Sequence, residues 1–305
     1  MLLVLSMDKM RAAMLVLVIA LLFSGMAQAM QPKTVLVSVH PMALLIKSAW
    51  PELGVSSLVS ANQSPHDFVL KPSDMKRIAS VDAVIWMGPE FEPYLKKAIK
   101  GKVQVDLSQD AHESAIINEE HSEHGHDDHE HEINSQPVSE HDEHGHDPHL
   151  WLDPNRILEM LSLVQAQLNL AEPTAFMDQY TAWKNNAHTA FKDQHKAGFV
   201  SFHDAFHEWI KVFNLNQIAV VTSNPEKPVG TRHIVEVRKL LASGQAQCLF
   251  VEPQFQSRIV KKLHKGLDID VINIDPMAST YAIDSGGFVN FYQELLSKFT
   301  QCFSK

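Results

Sequence analysis

Apolar residues recur along the chain in short runs that alternate with amphipathic stretches. Thr34–His40 is a β-branched run stopped by Pro41, and Met42–Trp50 then reads as a helix. Val55–Val59 is a second short strand. Asp74–Ser80 is a helix opened by Pro72, and Ala83–Met87 is an all-apolar strand ending at Gly88-Pro89. Glu92–Ile99 reads as a helix and Lys102–Asp106 as a strand. The rhythm resumes at Asn155–Leu170, where Ile157, Leu158, Leu161 and Val164 keep helical spacing. A helix from Pro173 to about Lys196 follows, long enough to link two lobes. Strands at Gly198–Phe202, Gln217–Val221, Cys248–Val251 and Val271–Ile274 then alternate with helices at His233–Ser243, Ile259–Gly266 and Gly287–Ser297. Strands separated by helices predict parallel sheets with crossover helices. The fold class expected is α/β, with two lobes, each a mainly parallel sheet flanked by helices, joined by one long helix. The boundaries expected are a signal peptide over 1–29, a first lobe over 30–170, the linking helix over 171–197 and a second lobe over 198–305.

The first segment is a targeting signal by pattern. Lys9 and Arg11 precede the apolar run Ala12–Phe23, and Ala27-Gln28-Ala29 supplies a small-residue cleavage site. The run is short for a membrane span, which needs roughly 20 residues. Export to the periplasm is the expectation. An oxidising compartment favours a disulfide between the only two cysteines, Cys248 and Cys302, with two buried thiols as the alternative.

Charge changes the picture at one place. With 45% apolar and 20% charged residues the chain has a globular composition, and its net charge of −10 argues against a nucleic-acid binder. Residues 112–149 hold 12 Asp or Glu, no Lys or Arg, and 10 of the 18 histidines. This low-complexity insertion, at about 112–148, is poor in apolar side chains and is expected to be disordered in the absence of metal. Its histidines His121, His124, His126, His129, His131, His141, His144 and His146, interleaved with carboxylates, form weak secondary metal sites.

Four further patterns place His or Asp where a strand gives way to a loop: Ser64-Pro-His66-Asp, His149-Leu-Trp-Leu-Asp-Pro154, Ser201-Phe-His203-Asp and Asn273-Ile-Asp275-Pro. Ligand groups in α/β sheets cluster at the carboxyl ends of strands. Imidazole nitrogens and carboxylate oxygens suit zinc at about 2.0–2.2 Å in tetrahedral sets. His203 and His207, followed by Glu208, stand four apart and raise the alternative of a zinc metallohydrolase. The expected Glu beside the first His is replaced by Asp204, however, and no nucleophile triad is evident, so no enzymatic activity is expected.

The motifs Ser64-Pro-His-Asp-Phe-Val-Leu-Lys-Pro-Ser-Asp74, Trp86-Met-Gly-Pro-Glu-Phe-Glu-Pro93, His149-Leu-Trp-Leu-Asp-Pro154, Phe202-His-Asp-Ala-Phe206 and Cys248-Leu-Phe-Val-Glu-Pro-Gln-Phe255 carry a resemblance over nearly the whole mature chain. It resembles the periplasmic zinc-binding proteins of bacterial zinc ABC transporters, a solute-binding family shared with manganese binders. The resemblance implies that His66, His149 and His203 hold Zn2+, with Asp275 or a water as fourth ligand. A glutamate used by some relatives just before the first histidine is replaced by Pro65. The resemblance also implies a Cys248–Cys302 disulfide in the second lobe, and an inner-membrane permease and its ATPase as partners of a monomeric carrier. Manganese-binding relatives typically carry Glu at the third position. His203 stands there instead, and three neutral nitrogens favour zinc over manganese. Glu90, Glu92 and Glu252 are expected to orient ligands or support structure, and His40 to lie near the cleft.

Overall fold

The computed structural model describes residues 31–109, 148–255 and 258–304. The signal segment and the His-rich insertion, with its eight candidate histidines, lie outside the described residues. Lys33–Lys305 forms one unit, which contains both sheets and all the helices that flank them.

Two four-stranded parallel sheets share one topology. The first contains β1 (Thr34–Val37), β2 (Gly54–Ser57), β3 (Ala83–Trp86) and β4 (Val103–Asp106), in the order β2-β1-β3-β4. The second contains β5 (Gly198–His203), β6 (Asn216–Thr222), β7 (Ala246–Val251) and β8 (Asp270–Asn273), in the order β6-β5-β7-β8. Helices on both faces explain why β3 and β5 are buried at every residue and read as continuous apolar runs. In each sheet the strand order reverses beside the first strand, and this switch point is where α/β sheets open a crevice at their carboxyl ends.

The crossover helices of the first half are α1 (His40–Ala49), α2 (Pro72–Ser80) and the single turn α3 (Leu95–Ala98). Pro41 lies in the first turn of α1, where its missing N–H costs nothing, so the helix begins at His40 and the strand ends earlier, at Val37, than the apolar run implied. The chain passes to the second half through α4 (Ile157–Leu168) and α5 (Thr174–Phe191). Asn169 ends α4 in the left-handed conformation at φ 51°, a conformation asparagine tolerates. The helix α5 has 18 residues, about 27 Å at 1.5 Å each, and stops five residues short of the expected Lys196. Its buried stripe Phe176, Tyr180, Trp183, Ala187 and Phe191 ends there. The polar run Lys192–Lys196 that follows offers nothing to bury, and it folds into turns closed by Gln194 N to Phe191 O and Ala197 N to Gln194 O.

The second half adds α6 (His207–Phe213), which the sequence pattern did not announce, then α7 (Thr231–Ala242), α8 (Arg258–His264) and α9 (Gly287–Phe303). The terminal helix α9 runs six residues past its expected end at Ser297, because Phe299, Cys302 and Phe303 continue its buried face. One apolar core runs through both halves, with α9 packed on α1 and α5. Trp183, Trp209, Tyr292 and Phe299 sit at its centre, the Trp183 and Tyr292 rings 4.7 Å apart at 69°. A smaller cluster fills the space between the second sheet and α7 and α8.

The Trp86–Pro93 motif builds the turn after β3. Gly88 has φ 103°, and a Cβ there would collide with Ser108 and Asp106. Glu92 closes the turn by accepting a hydrogen bond from Met87 N at 2.8 Å, so its role is structural. Burial pushes its carboxyl up from 4.5 to about 7. The folded state therefore holds this proton where the unfolded chain has lost it. Glu92 contributes stability that is complete below pH 4.5 and is lost as pH rises through about 7. The loss is at most about 3 kcal/mol at 1.36 kcal/mol per pH unit. Glu92→Gln should melt above the unsubstituted metal-free protein at pH 8 and show no such advantage at pH 5. A melting difference independent of pH would show that the carboxyl is not the group responsible.

Candidate metal site

Three histidines far apart in sequence meet at the carboxyl ends of the two sheets. His66 follows β2 on a loop where Ser64 Oγ accepts its backbone N–H at 3.3 Å. The loop is anchored two residues on by Phe68, which is buried against Tyr94 at 5.6 Å between ring centroids.

His149 opens the turn Leu150–Leu152, whose three apolar side chains are all buried. Trp151 pins this turn twice. Its indole N–H donates to Pro276 O at 2.7 Å, and its own carbonyl accepts from the Tyr292 hydroxyl at 2.6 Å. Tyr180 holds the end of the motif by donating to Pro154 O at 2.7 Å. Each bond fixes a buried polar group that would be costly to leave alone, so His149 is presented on a rigid support.

His203 is the last residue of β5 and is buried. Its Nδ1 lies 3.0 Å from Glu252 Oε1, just past the end of the neighbouring strand β7. A carboxylate acceptor holds the proton on Nδ1 and leaves Nε2 with a lone pair. That Nε2 is buried with no hydrogen-bond partner among the described residues. An orphaned buried acceptor is costly, and a metal ion at this point would satisfy it.

The ring centroids stand 5.4 Å (His66 to His149), 5.2 Å (His66 to His203) and 5.0 Å (His149 to His203) apart, with planes crossing at 61–74°. One ligand atom from each lies within 4.8 Å of the other two. Tetrahedral zinc at about 2.0–2.1 Å from each nitrogen needs them about 3.3 Å apart, within reach of small ring rotations. The pocket they border, together with Pro276 and Met277, has a volume of about 10 Å³. That is room for one small occupant. Among the described residues these three form the only such group of His, Cys, Asp or Glu.

A family model described as ZnuA, the periplasmic zinc-uptake complex component A, matches residues 35–302. The chain belongs to this family. Among its relatives, the high-affinity zinc uptake system protein ZnuA of Yersinia pestis is 29% identical over 288 residues, covering 88% of this chain and 90% of the relative. The corresponding protein of Haemophilus ducreyi is also 29% identical, covering 89% and 93%. A crystal structure of ZnuA superposes with a TM-score of 0.68 at 17% identity, over 89% of this chain and 99% of that one, a likeness of fold.

Asp275 lies outside the group of ligand atoms that the three histidines bring within 4.8 Å of one another. Its Oδ1 accepts from Gln254 Nε2 at 2.7 Å and Met277 N at 3.0 Å. Its Oδ2 accepts from Ser279 N at 2.6 Å and Ser279 Oγ at 2.5 Å. These four bonds engage the lone-pair directions of the carboxylate. They hold the turn in which Ala278 takes φ 53°, a left-handed conformation unfavourable for alanine. In this arrangement Asp275 shapes the turn that brings Met277 to the pocket.

The other acidic candidates separate cleanly. Glu252 orients His203, Glu92 closes its turn, and Glu90 is exposed on the wall of a neighbouring cavity. His40 is buried, with Nε2 3.0 Å from Tyr281 O, tying the start of α1 to the second half. Burial lowers its pKa from 6.5, the largest of the influences on it. His203 and His207 do not share a helix face, because one ends β5 and the other begins α6. Glu208 is paired with Lys211 at 3.2 Å. The helical spacing that raised a metallohydrolase is therefore not realised. His233 instead packs its helix against β6 through Val220 O at 2.8 Å.

Proposed function

We propose that this chain captures Zn2+ in the periplasm between His66, His149 and His203, with a water or other exogenous donor in the fourth position. It then hands the ion to an inner-membrane permease driven by an ATPase. The observation that carries this reading is the buried Nε2 of His203, which has no hydrogen-bond partner among the described residues, in a ring fixed by Glu252 and grouped with two other imidazoles whose ligand atoms lie within 4.8 Å. The zinc-uptake names of the relatives support the same ion. Nitrogen-only donors suit zinc better than manganese, whose sites favour carboxylate oxygen. The chemistry needed is reversible binding, with no nucleophile or base to place against a substrate.

Equilibrium dialysis of the full chain and of a chain lacking residues 112–147 is the test. The shortened chain should retain one tight Zn2+, undisplaced by a hundredfold excess of Mn2+, while the weaker sites disappear. Loss of the tight site with the segment, or displacement by Mn2+, would overturn the assignment.

A further inference from the structure

A bare ion does not account for the space beside the three rings. A cavity of about 320 Å³ opens at the switch point of the first sheet, past the end of β3. Its volume falls in the range of small-molecule sites. His66 and His149 line it, and the same two rings border the 10 Å³ metal pocket. The two spaces thus share a wall of ligands. The rest of the lining mixes prolines and Met87 with the aromatic rings of Phe68, Phe91, Tyr94 and Trp151, and carries the exposed carboxylate of Glu90. Its other carboxylate, Glu92, is already bonded to Met87 N. With an ion on the three histidines, the cavity would border a cation along the wall of His66 and His149 that it shares with the metal pocket, and its lining also offers the carboxylate of Glu90 and four aromatic rings.

We propose that this cavity takes a small organic zinc ligand of the amino-acid class. One donor atom fills the fourth position, a cationic amine faces Glu90, and the body lies against the aromatic wall. The inference rests on the metal reading above and adds to it that the carrier accepts zinc already held by a small chelator.

The full chain carrying one equivalent of Co2+, whose visible absorption reports its donors, can be titrated with L-histidine and with imidazole. Imidazole reaches the open position but has no amine for Glu90. L-Histidine should give a saturable spectral change with cobalt still on the protein after gel filtration, at an affinity at least tenfold above that of imidazole. Glu90→Gln should weaken L-histidine binding at least fivefold and leave imidazole unaltered. Equal affinities for the two probes, an unaffected Glu90→Gln variant, or cobalt leaving as the free histidine complex would overturn the inference while leaving the metal site intact. Failure of cobalt to bind before any probe is added would overturn the metal reading and the inference with it.

Discussion

His203→Ala is expected to weaken zinc binding on the order of a thousandfold while leaving the protein folded. Structural zinc sites bind with roughly 10–16 kcal/mol shared over their donors, so one donor carries about 3–4 kcal/mol, or two to three decades of affinity. His203 should sit at the upper end. It is buried, its Nδ1 is held by Glu252 at 3.0 Å, and its Nε2 has no competing partner among the described residues. Little ordering remains to be done when the ion arrives. Glu252→Gln, which keeps the shape but weakens the orienting bond, should cost about 10–100-fold, the usual range for a residue behind a metal ligand. Competition against a chromophoric chelator measures both, with circular dichroism to check the fold. Equal affinity in His203→Ala and the unsubstituted protein would mean that the tight site lies elsewhere. Protons compete for the same nitrogens, so affinity should also fall on acidification.

Strand runs, crossover helices and the histidines at strand ends were legible because each rests on local chemistry. Val, Ile and Leu runs make buried parallel strands, and a ligand after a strand needs only the strand to be recognised. What required the fold was pairing. Glu252 stands opposite His203 because β5 and β7 are neighbours, with Ser201 beside Phe250 two positions earlier. No local pattern announces that residues 49 apart share a sheet end. Trp151 bonding to Pro276 O, across 125 residues, is of the same kind. Asp275 needed the fold for a related reason. An acid after a strand reads as a ligand candidate, and its bonds to Gln254, Met277 and Ser279 emerge only from coordinates. Helix ends were missed where burial rather than capping decides them. Phe191 and Phe303 end their helices because the apolar face ends there.

Breaking the Cys248–Cys302 disulfide should lower the stability of the metal-free protein by about 4 kcal/mol while changing zinc affinity little. The bond joins β7 to the last turn of α9, closing a loop over a sequence separation of 54, and both residues are buried. Closing a loop of that length removes chain entropy from the unfolded state alone, worth about 4 kcal/mol on the chain-entropy account. For a domain of this size a change of that order corresponds to a fall of about 10 °C in melting temperature. Glu252 lies beyond the end of the strand that carries Cys248, and the β5–β7 pairing that aligns it with His203 runs from Gly198 beside Ala246 to Ser201 beside Phe250. Thermal unfolding with chelator present, with and without reductant, gives the stability term free of the contribution of bound metal. Zinc competition on the reduced, still-folded protein gives the second. An unchanged melting temperature would assign the hold on α9 to Phe299 and its neighbours alone. A large loss of affinity without unfolding would show that the bond also sets the register on which the His203–Glu252 pair relies.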